Sequence, residues 1–236
     1  MERSPRSTSA IVDEQVQRWL LQRSKEAGKS PDRPPPLITV SRQFGARGAE
    51  LGHRVAERLG FSYWNRELLA EIARHAHTNE QVFAAFDEHH RAVIADTLSG
   101  IIPKPAVGPS DYFRELAHVV HDLARHGGGV VVGRGINFML DPSIVLRLRV
   151  VASPEARVRG VMEREHLAEA AARAQVAEAD RDRRDFVRDH YGREIDDPTA
   201  YDLWINTETI SIPAAAEVVV AAYRGRFGDI GKVSRI

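Results

Sequence analysis

The segment that most constrains the fold is residues 37–60, LITVSRQFGARGAELGHRVAERLG. Its first four residues form an apolar run typical of a buried β-strand, and a short turn containing glycine follows. Apolar residues then recur at helical spacing, at Leu51, Val55 and Leu59. The segment therefore predicts a strand, a tight loop and a helix in direct succession.

A loop of this kind directs backbone N–H groups and the positive end of a helix dipole toward one point, where an anion is favoured. The arrangement is that of a phosphate-binding P-loop, whose complete pattern is G-x-x-x-x-G-K-[ST]. In that register the chain has Arg42 at the first glycine, Arg47 at the second, Gly48 at the lysine and Ala49 at the hydroxyl residue. The frame of a phosphate loop is present, but the lysine and hydroxyl are absent. A plain tight βα connection is the alternative interpretation.

Composition excludes several classes of protein. The chain has 236 residues, enough for one α/β domain with a sizeable core. Its 33 basic and 33 acidic residues cancel, so no basic field indicates nucleic-acid or membrane binding. The absence of cysteine excludes disulfides and thiolate metal sites. No apolar stretch approaches the ~18 residues of a membrane span, and the N-terminus lacks the apolar core of a signal peptide, so we expect a cytoplasmic protein.

Two regions follow from the pattern along the chain. Residues 1–36 comprise a polar tail, an amphipathic helix over 11–27 and a proline-rich linker. That helix either packs on the parent domain or serves for homodimerisation or docking. Residues 37–230 form one domain with further strands at 61–64, 130–132, 143–152 and 201–206 and helices at 66–98, 111–126, 153–165, 168–190 and 212–224. Strands that alternate with helices predict a three-layer α/β fold with a parallel sheet.

A charged helical cluster at 180–188, DRDRRDFVR, is a second candidate site. Arg181, Asp185 and Arg188 fall within about one 60° sector of a helix. Arginine suits phosphate because its planar fork binds two oxygens at once. The alternative is a solvated helix with i,i+4 ion pairs.

The sequence GRG at 133–135, directly after an apolar run, is the third candidate. In an open parallel sheet, ligands bind beyond the carboxyl ends of the strands. Arg134 is predicted at such an end, although a surface arginine after a tight turn would have the same sequence.

In this order the three clusters resemble the nucleoside monophosphate kinases, and most closely the cytidylate kinase-like family. The resemblance runs over about residues 37–222, from LITVSRQFGARGAELG through VVVGRG to RDRRDFVR and YDLWINTETISIPAAAEVV. It implies a P-loop nucleoside-monophosphate-kinase-like fold with a helical acceptor-side insertion at 66–126 and a lid at 153–192. It also implies phosphoryl transfer from ATP to a nucleoside monophosphate, CMP or dCMP, with Mg²⁺.

The resemblance assigns roles to particular residues. Those expected to hold phosphates or face the transferring group are Arg134, Arg157, Arg181 and Arg188. Those expected to contact the acceptor nucleotide are Asp185 at the ribose, with Asn65 and Arg66 where the acceptor-side segment begins. The expected phosphate loop comprises Gly45, Ala46, Arg47 and Gly48.

The chain departs from the family pattern at several positions that matter for catalysis. Besides the missing lysine and hydroxyl, Gly135 stands where cytidylate kinases have an acidic residue. Two substitutes are visible: Arg42 or Arg47 could bring a cation to the donor phosphates, and Glu50 could reach a magnesium ion.

Three hypotheses follow from these departures. The protein is an active nucleotide kinase with a modified loop, a nucleotide-binding sensor or regulator with little activity, or a scaffold that works through its N-terminal helix.

Its three tryptophans, at 19, 64 and 204, are expected in the core.

Overall fold

The computed structural model describes residues 34–65 and 111–228. Within these ranges the strands are β1 (Leu37–Arg42), β2 (Ser62–Trp64), β3 (Gly129–Val132), β4 (Val145–Val151) and β5 (Leu203–Asn206). The helices are α1 (Gly48–Leu59), α2 (Asp111–His126), α3 (Pro154–Glu165), α4 (Glu169–Tyr191) and α5 (Ile212–Phe227). The predicted N-terminal helix, Arg66 and most of the predicted acceptor-side insertion lie outside the described residues.

The five described strands form one parallel sheet in the order β2-β3-β1-β4-β5. β1 lies at its centre, with Thr39 level with Val131 of β3 and with Arg147 of β4. Because the strands are parallel, the loops after β1 and β3 emerge side by side at the carboxyl edge. The predicted three-layer α/β fold is confirmed.

Both faces of the sheet are covered by apolar side chains, as parallel sheets require. Ile38, Val40 and Leu148 pack with α1 and α5 on one face. Leu37 and Val131 point the other way and pack against α2. The alternation of side chains along each strand therefore builds two cores, and β1 contributes to both.

Two expectations about the second half of the chain are wrong in detail. The strand predicted from residue 143 begins at Val145, because Asp141 and Pro142 start a 3₁₀ turn in which Asp141 accepts from the Ser143 amide at 2.7 Å. Trp204 is not core: its exposed fraction is 41% on the edge strand β5. Trp64 is buried as expected.

Local signals for the helix starts and ends hold. Ser153 caps α3 by accepting from the Ala156 amide, and Pro154 occupies the first helical position.

None of the helices in the described part of the chain is long and apolar enough to cross a membrane.

Candidate functional site

The loop between β1 and α1 is held by contacts from α3 and α4. The Phe44 amide donates to Asp180 Oδ1 at 3.1 Å, and Arg157 Nη1 donates to the Phe44 carbonyl at 3.2 Å. Arg157 also forms an ion pair with Asp180, and both side chains are largely buried. Gly45 lies against Arg157 with φ 82°, where a β-carbon would lie 2.8 Å from the Arg157 carbonyl oxygen. A buried ion pair thus anchors the predicted phosphate loop to the helices beside it.

Arg42 and Gly48 are matched in shape at the two ends of this loop. A β-carbon built at Gly48 would lie 2.5 Å from Cβ of Arg42 and 3.2 Å from Cβ of Val150. Real β-carbons do not approach so closely, so a side chain at position 48 is incompatible with the observed position of Arg42.

The turn at 133–135 has an unusual backbone. Gly133, Arg134 and Gly135 all have positive φ, at 94°, 60° and 66°. For arginine this conformation is strained, and the surroundings stabilise it. The Gly133 amide donates to Val40 at 3.0 Å, and the Tyr191 hydroxyl donates to the Arg134 carbonyl at 2.6 Å.

Gly135 lies directly under the Tyr191 ring. A β-carbon at position 135 would lie 2.5 Å from Cε2 of Tyr191. An acidic side chain at this position, as in cytidylate kinases, would therefore require Tyr191 to move.

These elements enclose a cavity of about 310 Å³ at the carboxyl edge of the sheet. Its walls come from the end of β1, the turn after β3, one face of α4 and one residue beyond it. The lining residues are Ser41, Arg42, Phe44, Gly133, Arg134, Gly135, Ala179, Asp182, Arg183, Phe186, Val187 and Ile195.

The cavity is cationic. Arg42, Arg134 and Arg183 line it, and Asp182 is the one carboxylate among its described lining residues. Arg183 Nη1 donates to the Arg42 carbonyl at 2.9 Å, and its Cζ lies 5.3 Å from the centre of the Phe44 ring. Arg134 Cζ lies 5.3 Å from the centre of the Phe186 ring. Both guanidiniums thus lie over an aromatic face, which attracts a cation without carrying a negative charge.

The structure separates Arg47 and Glu50 from this cavity. Arg47 donates to Glu50 through Nε and Nη2, both at 2.8 Å, and both side chains are about half exposed. The hydrogen bond to Glu50 raises the pKa of Arg47, and burial opposes this only in part. The residue predicted to bind donor phosphates is thus paired with the residue predicted to bind magnesium.

The predicted cluster on α4 also lies away from the cavity lining. Arg188 pairs with Asp185 at 2.7 Å, and the charge of Asp185 raises the pKa of Arg188. Arg181 is exposed. At 100° per residue these three side chains point roughly opposite to Ala179 and Arg183, which line the cavity, while Asp182 lies at the border between the two faces.

The other predicted positions have three different environments. Arg157 is buried and contacts the predicted phosphate loop at the Phe44 carbonyl. Ala46 is buried within the loop, against the core between β1 and α1. Asn65 follows β2 at the same edge of the sheet but does not line the cavity.

Among the lining residues that were not predicted from the sequence, four have aromatic or charged side chains. Phe44, Asp182, Arg183 and Phe186 line the cavity, and all lie within or beside segments that had been singled out. The apolar pair Phe186–Val187 is the sequence signal that could have identified the α4 residues, because an apolar pair on a charged helix marks the side that packs inward.

No group of three or more histidine, aspartate or glutamate side chains capable of holding a metal occurs in residues 34–65 and 111–228.

A parallel sheet with a glycine-containing loop after β1 and a cationic cavity at its carboxyl edge defines the class of nucleotide-binding, P-loop kinase-like proteins. The chain belongs to the cytidylate kinase-like family, whose model matches residues 37–209. A cytidylate kinase from Methanoculleus marisnigri is 35% identical over 77 residues, which is 33% of this chain and 42% of that protein. The match thus spans less than half the length of that curated relative.

One solved structure shows the same fold at low identity. An uncharacterized protein from Eubacterium ventriosum superposes with a TM-score of 0.61 and 17% identity, covering 80% of this chain and 98% of that one. A shikimate kinase from Bacteroides thetaiotaomicron has a TM-score of 0.46 and 11% identity, with 79% and 97% covered, which is too distant to support a conclusion.

Proposed function

We propose that this protein is a nucleoside monophosphate kinase that transfers the terminal phosphoryl group of ATP to CMP or dCMP. The observation that carries the proposal is the convergence of Arg42, Arg134 and Arg183 in one cavity at the carboxyl edge of the sheet. Family membership supports the reaction class, and the relative called cytidylate kinase supports the acceptor.

The cavity suits phosphoryl transfer because this reaction needs positioning and charge neutralisation more than covalent help from the protein. An acceptor phosphate oxygen attacks the terminal phosphorus of ATP, and the bond from that phosphorus to the bridging oxygen of ADP breaks. The acceptor oxygen is already ionised at neutral pH, so the step needs no general base. Three guanidiniums would offset part of the negative charge of the donor and acceptor phosphates.

A magnesium ion would supply further charge neutralisation between the donor phosphates. Asp182 is the residue best suited to hold it, because it is the one carboxylate among the described residues that line the cavity. Glu50, predicted for this role, already accepts two hydrogen bonds from Arg47. We therefore propose Asp182 in place of Glu50.

We propose that the acceptor nucleotide is contacted by Arg181, Asp185 and Arg188. These contacts require a movement of α4. The three side chains lie on the face of α4 away from the cavity, so they would reach a ligand only after the helix turns or closes. Arg157 and Asp180 would act by positioning, because they hold the loop at Phe44.

The test is a coupled assay of ADP release with ATP, magnesium and CMP, dCMP, UMP, AMP or GMP. Arg183→Met is the site variant, and Arg173→Met is its control on the same helix, where Arg173 pairs with Glu169 at the surface. We expect turnover on CMP or dCMP, lowered at least about tenfold by Arg183→Met and unchanged by Arg173→Met. Turnover that is equal in the two variants would refute this cavity as the active site.

A nucleotide-binding sensor with little activity is the second candidate function. The observation that favours it is the engagement of the Phe44 amide by Asp180, which removes one loop N–H from a phosphate. A sensor would be stabilised by nucleotide, since binding to the native state raises the melting temperature, yet would release no ADP with any acceptor.

A further inference from the structure

We propose that Arg42 performs the phosphate-binding role of the missing P-loop lysine, and that its side chain contacts the β- and γ-phosphates of ATP. The inference rests on the proposed function, since it assigns the donor subsite of the same cavity. It identifies which cation replaces the lysine, a point on which the sequence left Arg42 and Arg47 as alternatives.

The first step in the argument is an exchange of residue types between two positions. The P-loop pattern has glycine at the position of Arg42 and lysine at the position of Gly48. Here the positive charge is at the first position and the glycine at the second. Since a β-carbon at Gly48 would lie 2.5 Å from Cβ and 3.1 Å from Cγ of Arg42, only one of the two positions can carry a long side chain.

The second step concerns the far end of the Arg42 side chain. A β-carbon built at Gly133 would overlap the Arg42 guanidinium, with Cζ 3.0 Å away. The side chain therefore extends from the end of β1 across the turn after β3, along the wall of the cavity. Glycines at both 48 and 133 make space for one arginine.

The third step is the charge around this guanidinium. Arg134 and Arg183 line the same cavity, and Arg183 contacts the Arg42 backbone. Three arginines and one aspartate are the charged residues in the described part of the lining, and this excess of positive charge favours a ligand with several negative charges. The polyphosphate of ATP matches this requirement better than the single phosphate of an acceptor.

Arg47 lacks the features that argue for Arg42, namely a place in the cavity lining and neighbouring arginines. It begins α1 with φ 55°, and its guanidinium forms a bidentate pair with Glu50 at the surface. That pair lies outside the cavity lining.

The experiment compares Arg42→Met with Arg54→Met, a control on α1 where the arginine pairs with Glu57 at the surface. Affinities for ATP, inorganic pyrophosphate and CMP are measured by calorimetry on the full chain, and unfolding is monitored in parallel. We expect Arg42→Met to weaken ATP and pyrophosphate binding by about 10- to 100-fold and CMP binding much less. Wild-type affinity for pyrophosphate in Arg42→Met would overturn the inference.

A pair of coupled substitutions tests the exchange itself. Gly48→Lys alone should lose thermal stability because of the overlap with Arg42, and Arg42→Gly alone should lose pyrophosphate binding. Arg42→Gly with Gly48→Lys together should recover at least about tenfold in pyrophosphate affinity over Arg42→Gly. A double variant that binds no better than Arg42→Gly would contradict the assigned role.

The binding measurements separate this inference from the proposed function. If the wild type releases no ADP with any acceptor, yet loses ATP affinity on Arg42→Met, the kinase proposal fails and the role of Arg42 stands. If turnover and ATP affinity both survive Arg42→Met, the kinase stands and this inference fails. A wild type that binds neither ATP nor pyrophosphate would refute both.

Discussion

At the residue scale, the departures from the P-loop kinase pattern are explained by steric pairs. Arg42 excludes a side chain at position 48, and Tyr191 excludes one at position 135. The missing lysine and the missing acidic residue therefore have local structural reasons. Each missing side chain leaves space that a residue elsewhere in the chain occupies.

The pair of Gly135 and Tyr191 gives a direct prediction. Gly135→Asp should lower the free energy of unfolding by about 1–3 kcal/mol more than Gly60→Asp, because the new β-carbon overlaps the Tyr191 ring. Gly60 is a matched control: its φ is 68° against 66° at Gly135, and it has open space where a β-carbon would lie. Urea denaturation measures the free energy of unfolding of both variants. Equal losses of stability would show that only backbone strain matters at position 135.

At the element scale, α4 is the helix that joins α3 to the loop after β1. Asp180 accepts from the Phe44 amide and pairs with Arg157 of α3, so one carboxylate joins three segments. The side chains of Arg157 and Asp180 are only 7% and 16% exposed. Loss of this charge would leave a buried guanidinium without its counter-ion.

We therefore predict that Asp180→Asn lowers the free energy of unfolding by about 3–5 kcal/mol, the usual cost of breaking a buried pair. Glu169→Gln, which removes an exposed partner of Arg173 on the same helix, should change stability very little. Chemical denaturation of the two variants checks the difference. A small effect at position 180 would mean that water solvates Arg157 when the loop opens.

At the scale of the whole molecule, Asp202 ties β4 to α5 and makes stability depend on pH. Burial opposes ionisation of Asp202, but hydrogen bonds from the Arg147 side chain and amide, with the charges of Arg147 and Arg226, hold its pKa below the ordinary value. Arg147 Nη2 and Arg226 Nη1 lie 2.8 and 2.7 Å from its carboxylate oxygens. Its ionised form therefore stabilises the folded state.

A depressed carboxyl pKa contributes stability above the unfolded value and loses it as pH falls through the folded value. The destabilisation by Asp202→Asn should therefore be greatest above about pH 5 and shrink as pH falls below about 4. Denaturation of both proteins between pH 7 and pH 2.5 measures this, with Glu57→Gln as an exposed control. If Asp202→Asn lowers the free energy of unfolding by the same amount at every pH in this range, the result would be inconsistent with a depressed Asp202 pKa.

The order and kind of the described elements were predicted from local pattern, because strand alternation, helical period and capping residues act over a few positions. The helix cap at Ser153 and the helix stop at Gly127 and Gly128 are examples. The start of β4 was misplaced because the sequence run does not reveal the 3₁₀ turn that Asp141 caps. Trp204 was misplaced because exposure on an edge strand depends on which strand ends the sheet.

By itself, the sequence determined the strand–loop–helix frame, the parallel α/β class and the presence of arginines at the carboxyl edge. Only the tertiary structure decided which face of α4 meets the loop. Phe186 and Val187 are the two apolar residues in DRDRRDFVR, and two residues are too few to fix the rotation of a 23-residue helix. The burial of Val176, Val187 and Tyr191 sets the rotation of the helix, and this brings Asp182 and Arg183, rather than Arg181 and Arg188, to the cavity.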